Sequence, residues 1–304
     1  MSRIHEALKK AALERSEHLS ASIDPSVVID PMELPRPLAP AESFRTASQD
    51  LYPSQDLVGL RYEELTKRCV GTKWNIDPRM SVFEGQDGAN LGAERFRTLR
   101  SRLSQIASTR TLRKLVITST VPAEGKTFVA ANLAQSIVRQ PERKVLLIDG
   151  DLRASRLHLC FGTQKSPGLT DYLRGEADIY SVIQKGEDSN LCLIAGGTGV
   201  SNPSELLGND RMKKLLDLVT PLFDWVILDT PPAMPVHDAN ILADLCDGVL
   251  FVVQAGVTDF ELAAKASEGF KNDSMLGVVF NRIERGMGYG GYYYSYPSGE
   301  NSRK

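Results

Sequence analysis

Short apolar runs recur through the last two thirds of the chain, and they constrain the fold more than any other feature of the sequence. Three of them, VLLID at 145–149, WVILD at 225–229 and GVLFVV at 248–253, are almost continuously apolar. A strand needs such a run when both of its faces are covered, as in a parallel sheet between layers of helices. We therefore predict an α/β fold with a doubly wound, mostly parallel sheet. The predicted strands are 114–119, 144–149, 191–194, 224–229, 248–253 and 276–281, and the predicted helices include 91–106, 126–139 and 259–271.

Composition and charge narrow the classes of function. The chain has 304 residues, 42% of them apolar, a net charge of −2 and a pI near 6.1. Because no strong basic field results, we expect no nucleic-acid partner. The four cysteines form no CxxC pair, which is typical of reduced thiols in a cytoplasmic protein. With no signal peptide and no long apolar run in the sequence, we expect a soluble protein that reaches the inner membrane only through a partner.

The chain divides into five segments by composition. Residues 1–20 are predicted to form a helix, either a marginal surface helix or a docking helix for a partner. Proline interrupts any periodicity in residues 21–56, which we interpret as a linker. Residues 57–90 are interpreted as a docking segment, residues 91–283 as the main domain and residues 284–304 as a flexible tail.

A phosphate-binding loop follows the first predicted strand. The sequence from Thr120 to Thr127 is TVPAEGKT, and helix-forming residues come directly after it. Main-chain amides of the loop would surround phosphate groups, Lys126 would reach the β and γ oxygens, and the Thr127 hydroxyl would bind Mg²⁺. The first glycine of GxxxxGK[ST] is replaced by Thr120, so the motif is recognised by EGKT between a strand and a helix. The predicted nucleotide-binding residues of this loop are Thr120, Pro122, Glu124, Gly125, Lys126, Thr127 and Phe128.

Carboxylates end two further predicted strands. Asp149 and Asp151 lie in VLLIDGDLR, and Asp229 lies in WVILDTPP. The carboxyl ends of parallel strands lie at one edge of the sheet, where ligands bind, so we expect these three carboxylates and Lys126 to meet at one Mg²⁺-phosphate group. Each aspartate alone could equally be an ordinary residue at the end of a strand.

The last twenty residues contain five of the nine tyrosines, in a segment rich in glycine and serine. Glycine and proline disfavour the helix or strand that would be needed to bury these rings. We therefore expect their hydroxyls to be accessible to another group. The five are Tyr289, Tyr292, Tyr293, Tyr294 and Tyr296.

Taken together, VPAEGKT, VLLIDGDLR and WVILDTPP resemble the Walker A, Walker A′ and Walker B motifs of bacterial tyrosine kinases, over about residues 90–296. Within that family the chain is most similar to the soluble autokinases of polysaccharide biosynthesis, including those of exosortase loci. The resemblance implies a P-loop NTPase fold with deviant Walker motifs, related to partition ATPases, that uses ATP and Mg²⁺. It also implies phosphorylation of the tyrosine tail, a membrane-embedded polysaccharide chain-length or co-polymerase protein as activator, and a cognate tyrosine phosphatase.

The resemblance assigns roles to further residues. Glu94, Arg97 and Arg100 match the ExxRxxR motif associated with assembly of a homo-oligomeric ring, although a solvated helix face would show the same charges. Asn281 matches a position that binds adenine in related ATPases, with a buried turn asparagine as the alternative. No role is assigned to Arg153.

Phosphoryl transfer to a phenol needs a base or a metal beside the hydroxyl, because the phenol is a weak acid. We expect Asp149 to be the base, with Asp151 as second choice. Thr127, Asp149 and Asp229 are the expected metal ligands. Ring assembly would bring each tail to a neighbouring site, so we expect transfer in trans.

Two other functions fit parts of the sequence. A partition or septum-site ATPase would share the Walker motifs, but its signature lysine is replaced by Val121 and it has no use for the tyrosines. A non-catalytic regulator that binds nucleotide and gates a polysaccharide polymerase would use the tail only for interactions.

Overall fold

The structure is a computed structural model that describes residues 60–84, 91–186 and 189–283. The predicted N-terminal helix, the linker and the tyrosine tail lie outside these residues. The helices are α1 (Tyr62–Arg68), α2 (Leu91–Thr109), α3 (Lys126–Val138), α4 (Leu157–Phe161), α5 (Leu169–Arg174), α6 (Ile179–Val182), α7 (Pro203–Leu207), α8 (Asp210–Val219), α9 (Asp238–Asp244) and α10 (Phe260–Ser267). The strands are β1 (Val70–Thr72), β2 (Lys114–Ser119), β3 (Val145–Asp149), β4 (Ile183–Gly186), β5 (Leu191–Ile194), β6 (Trp225–Asp229), β7 (Gly248–Gln254) and β8 (Met275–Asn281).

The eight strands form one sheet in the order β1-β4-β5-β3-β6-β2-β7-β8. All neighbours pair in parallel except β4 and β5, which are antiparallel. The prediction of a doubly wound, mostly parallel sheet is confirmed, and each of the six predicted strands lies within one residue of an observed one. Strands β1 and β4 were not predicted, because VGT and IQKG are short and lack a continuous apolar run.

Helices cover both faces of the sheet and bury two apolar cores. One core contains Val116, Leu146 and Val226, and the opposite core contains Leu115, Leu147 and Ile227, so adjacent residues of one strand point to opposite layers. This burial on both faces is the reason why β3, β6 and β7 are apolar up to their last residues, Asp149, Asp229 and Gln254.

Residues 60–84 belong to the same folded unit as the main domain. Tyr62 and Leu65 of α1 are buried in one core, and Trp74 packs on Phe161 with ring centroids 4.7 Å apart. Farther along, the Val82 amide donates a hydrogen bond to Asn132 of α3 at 2.8 Å. The structure therefore places this part of the predicted docking segment within the sheet and against the helix that follows the phosphate loop.

Two further expectations concern cysteines and membranes. The four cysteines are free, and burial raises the pKa of the Cys192 thiol to about 12, in keeping with reduced core thiols. Across the parts of the chain that the structure describes, no helix combines the length and the apolar character needed to cross a bilayer.

Candidate active site

The phosphate loop connects the end of β2 at Ser119 to the start of α3 at Lys126. Its backbone turns through two left-handed residues, Ala123 with φ 68° and Gly125 with φ 98°. A Cβ at position 125 would also overlap Nδ2 of Asn281, so a larger residue there would displace that side chain. The loop continues directly into the first turn of α3, and main-chain amides at the start of a helix favour anions.

The other predicted loop residues take different positions. Thr120, which replaces the first glycine of the motif, is buried, and its carbonyl accepts a hydrogen bond from the Met234 amide at 3.2 Å. Pro122 is exposed at the tip of the loop. The ring of Phe128 packs on Phe96 of α2 with centroids 6.0 Å apart, so this side chain supports the core beneath α3.

Lys126 forms an ion pair with the Walker A′ loop. Its Nζ lies 2.7 Å from Oδ2 of Asp151, and both side chains are largely buried. Burial alone would lower the pKa of Lys126, but the negative charges of Asp229, Asp151 and Asp149 together raise it above the ordinary value. The ammonium group is therefore charged and is held at the mouth of the loop.

Thr127 and Asp229 provide the features expected of a magnesium site. The Thr127 hydroxyl donates to Oδ2 of Asp229 at 2.6 Å, while Oδ1 of Asp229 is buried with no hydrogen-bond partner among the described residues. A buried carboxylate oxygen without a partner is costly unless a cation or water binds it. Burial, the largest influence, raises the pKa of Asp229 to about 7. A hydroxyl and one carboxylate are also what Mg²⁺ uses when phosphates and waters complete its coordination.

Asp149 lies beside Asp229 in the sheet, where the two are direct partners in the β3–β6 register. Its Oδ2 accepts hydrogen bonds from the Ser155 hydroxyl at 2.8 Å and from the amides of Arg156 and Leu157 at 3.1 and 3.0 Å. Its Oδ1 accepts one longer bond, from the Asp151 amide at 3.3 Å. Burial raises the pKa of Asp149 to about 6. The three hydrogen bonds to Oδ2 thus hold the loop after β3 in place, and Oδ1 can still accept a further hydrogen bond.

Arg153 and Asp238 form an ion pair next to this loop. The guanidinium of Arg153 donates to both oxygens of Asp238, with Nε 2.7 Å from Oδ2, and also donates to the Ser204 hydroxyl at 3.0 Å. Asp238 has no exposed surface. The pair ties the Walker A′ loop to the start of α9. Asp238 and Ser204 were not predicted as part of the site, because in sequence each resembles an ordinary polar residue at the start of a helix.

Asn281 ends β8 beside the phosphate loop. Its Nδ2 donates to the Glu124 carbonyl at 2.8 Å, so the side chain contacts the loop directly. With the amide nitrogen engaged in this way, Oδ1 is the part of the side chain left to accept a hydrogen bond from a nucleotide base.

The three residues of the ExxRxxR motif lie on α2. Glu94 forms an ion pair with Arg97 at the surface of the helix. Arg100 instead donates to the Ser136 carbonyl of α3 at 2.6 Å. The structure thus places Arg100 in a contact within the chain, while Glu94 and Arg97 lie at its surface. The five tail tyrosines lie outside the described residues.

The sequence of this chain is similar to those of known proteins. The AAA domain family matches residues 115–264. The tyrosine-protein kinase YwqD of Bacillus subtilis is 36% identical over 216 residues, which is 70% of this chain and 91% of that protein. The tyrosine-protein kinase wzc of Salmonella typhimurium is 35% identical over 211 residues, 68% of this chain but only 29% of that longer protein.

A solved structure shares the fold as well. The kinase domain of the Escherichia coli tyrosine kinase ETK superposes with a TM-score of 0.61 at 32% identity, covering 71% of this chain and 85% of that domain. Sequence similarity along nearly the whole of YwqD and the common fold with the ETK kinase domain lead to one conclusion: this chain belongs to the bacterial tyrosine-protein kinases.

Proposed function

We propose that this chain is an ATP-dependent autokinase that phosphorylates the tyrosines of its own tail in trans and thereby regulates exopolysaccharide synthesis or export. The observation that carries the proposal is the meeting of the phosphate loop with three carboxylates at one edge of the sheet. Lys126 contacts Asp151, and Thr127 contacts Asp229, whose Cα pairs with that of Asp149.

The point where the tail leaves the fold also supports the proposal. Asn281 contacts the phosphate loop, and residue 289 follows eight positions later. Eight extended residues span about 28 Å at most, so residue 289 can reach the nucleotide site of its own chain or that of a closely packed neighbour, and the mixing experiment below distinguishes the two. Each added phosphate contributes roughly −1.5 to −2 charges, so repeated phosphorylation would make the tail strongly anionic and weaken its docking beside bound phosphates.

Each residue of the site would have its own role in the phosphoryl transfer. The Lys126 ammonium would turn from Asp151 to the β and γ phosphates, and loop amides would orient them. Thr127 and Asp229 would hold Mg²⁺, with Asp149 as a further candidate ligand, and the metal when bound supplies charge neutralisation on the phosphates. The phenol oxygen forms a bond to the γ phosphorus as the bond to the bridging oxygen breaks, and the phenol proton passes to a carboxylate. Oδ1 of Asp149 fits this last role, because only one long hydrogen bond occupies it.

A mixing experiment tests the proposal. A Lys126→Ala protein with an intact tail is incubated with Mg-ATP and an active protein that ends at residue 283. We expect phosphate on the tail of the Lys126→Ala protein, and none when the five tyrosines are changed to phenylalanine. Absence of labelling would rule out transfer in trans. If the wild-type chain binds ATP but never labels its tail, even with a co-polymerase segment added, the chain acts as a nucleotide-gated regulator instead.

The remaining proposals concern partners. By resemblance to the family, the activator would be a membrane-embedded polysaccharide co-polymerase that holds the kinase at the inner membrane, the oligomer a ring, and a tyrosine phosphatase would reverse the reaction. Co-purification of the chain with the cytoplasmic segment of a co-polymerase, followed by a measured rise in tail phosphorylation, tests the first of these. A segment that binds without raising the rate would contradict its role as activator.

A further inference from the structure

A carboxylate lies inside the phosphate loop, and both of its oxygens are hydrogen-bonded within the protein. Glu124 is only 2% exposed, and its Oε2 accepts a hydrogen bond from the Val121 amide at 2.9 Å across the turn of the loop. Its Oε1 is hydrogen-bonded to the hydroxyl of Thr258. A negative charge in a phosphate-binding loop disfavours an anionic ligand. We therefore expect the benefit of Glu124 to lie in the parts of the protein that its hydrogen bonds connect.

Thr258 is placed to donate to this carboxylate. Its Oγ1 already accepts a hydrogen bond from the Gln254 amide at 2.8 Å, within the turn between β7 and α10. The single hydroxyl proton is therefore free for Oε1 of Glu124. Residue 124 also uses its carbonyl, which accepts from Asn281 at the end of β8. Glu124 thus joins the phosphate loop to two neighbouring elements at the same edge of the sheet.

The loop needs such support because its shape is strained. Residue 124 lies between Ala123 and Gly125, both of which have positive φ, and a non-glycine residue adopts this conformation at a cost of roughly 1 kcal/mol. A loop that is not held in this shape must be ordered by the nucleotide, and the ordering reduces the binding affinity.

We propose that Glu124 is a positioning residue that keeps the phosphate loop ready to bind nucleotide by bracing it on Thr258 of the β7–α10 turn. The inference rests on the proposed nucleotide site and gives Glu124, one of the predicted nucleotide-binding residues, an indirect role through Val121 and Thr258. Its signature is a loss of nucleotide affinity with little loss of turnover, since Glu124 makes no contact with the carboxylates of the reaction.

The experiment measures the Kd for a fluorescent ADP analogue with Mg²⁺ in the full chain and in four variants. Glu124→Ala and Thr258→Val should each raise Kd about 10-fold, the effect of losing about 1.4 kcal/mol. The loss in the double variant should be clearly smaller than the product of the single losses, because both changes break the same Glu124–Thr258 hydrogen bond. Glu124→Gln should bind as tightly as wild type or tighter, since its oxygen can accept from Val121, its amide can donate to Thr258, and the negative charge is gone.

Controls and kinetics separate positioning from folding. Two control variants should bind like wild type. Glu268→Ala changes an exposed residue directly after α10, and Thr220→Val removes a hydroxyl directly after α8 that donates to the Leu216 carbonyl. In Glu124→Ala the KM for ATP should rise, while kcat should stay within about twofold of the wild-type value. The change should lower the Tm of the nucleotide-free protein by less than it lowers the increase in Tm on nucleotide binding.

An unchanged Kd in Thr258→Val, or a double variant whose loss is the product of the single losses, would overturn the inference while the nucleotide site stands. If Glu124→Ala does not fold, the comparison of Thr258→Val with Glu124→Gln still decides the question. A wild-type chain that binds no nucleotide would instead refute the proposed function itself.

Discussion

The hydroxyl of Thr127 lies 2.6 Å from Oδ2 of Asp229, so one hydrogen bond joins the first turn of α3 to the end of β6. The second oxygen of that carboxylate is buried with no hydrogen-bond partner among the described residues. In the nucleotide-free protein this buried oxygen is energetically costly, and metal binding can remove the cost. The same arrangement predicts how the stability of the protein changes with pH.

Asp229→Asn should stabilise the nucleotide-free protein at pH 8 and have little effect near pH 4. Burial raises the pKa of Asp229 to about 7 from 3.8, so between these values the folded state binds a proton that the unfolded state does not. The contribution of this group to stability therefore falls as pH rises from about 4 to 7. Thermal unfolding in EDTA across this range checks the prediction, and equal pH profiles for the two proteins would contradict it. With Mg-ADP, only the wild type should gain Tm.

Lys126→Ala should destabilise the protein as well as abolish kinase activity. The change leaves Asp151, whose side chain is 3% exposed, without its cation, and breaking a buried pair in this way typically costs about 3 kcal/mol. The double variant Lys126→Ala with Asp151→Asn should regain most of this stability but no activity. Urea denaturation of the three proteins provides the measurement. Equal stability of the single and double variants would argue against the ion pair.

Arg153→Lys should lower the free energy of unfolding by about 2 kcal/mol, because lysine cannot donate to both oxygens of the buried Asp238. The matched control is Arg156→Lys, which keeps the main-chain hydrogen bond from residue 156 to Asp149. Urea denaturation distinguishes them. Equal losses in both variants would mean that the Arg153–Asp238 contact contributes little.

For the proposed ring, Arg97→Glu should change the size of the oligomer without changing the fold. Arg97 and Glu94 lie at the surface of α2, so reversing the charge repels Glu94 and any acidic neighbour, whereas Arg100→Ala removes a contact to α3 and should lower Tm. Light scattering after size-exclusion chromatography, with Tm for both variants, checks the prediction. An oligomer that Arg97→Glu leaves intact would remove Arg97 from the ring contact.

Asn281→Ala should reduce the preference for ATP over GTP by up to about 10-fold, the effect of losing one hydrogen bond. Oδ1 can accept a hydrogen bond from the adenine amine but is repelled by the guanine carbonyl oxygen at the same position. Because the change also removes the bond to the Glu124 carbonyl, binding of both nucleotides should weaken, and the ratio of the two Kd values is the informative quantity. An unchanged ratio would assign Asn281 to the loop alone.

Several parts of the structure could be predicted from sequence because their cause is local. The apolar runs at 145–149 and 225–229 are buried on both faces, and the strand-loop-helix context of EGKT identifies a phosphate loop although Thr120 replaces its first glycine. Other parts have no local cause. β1 becomes a strand only because β4 is beside it, and α1 is held by a core made of distant residues.

The sequence by itself determined the parallel sheet, the edge at which its carboxylates would gather, and the tyrosine-rich composition of the tail. Tertiary structure alone decided the partners of three charged groups at the site: Asp238 for Arg153, Asp151 for Lys126, and Thr258 for Glu124. The physical reason is that apolar periodicity records which face of an element is buried, whereas an ion pair or hydrogen bond depends on distances between residues that are 25, 85 or 134 positions apart in the chain.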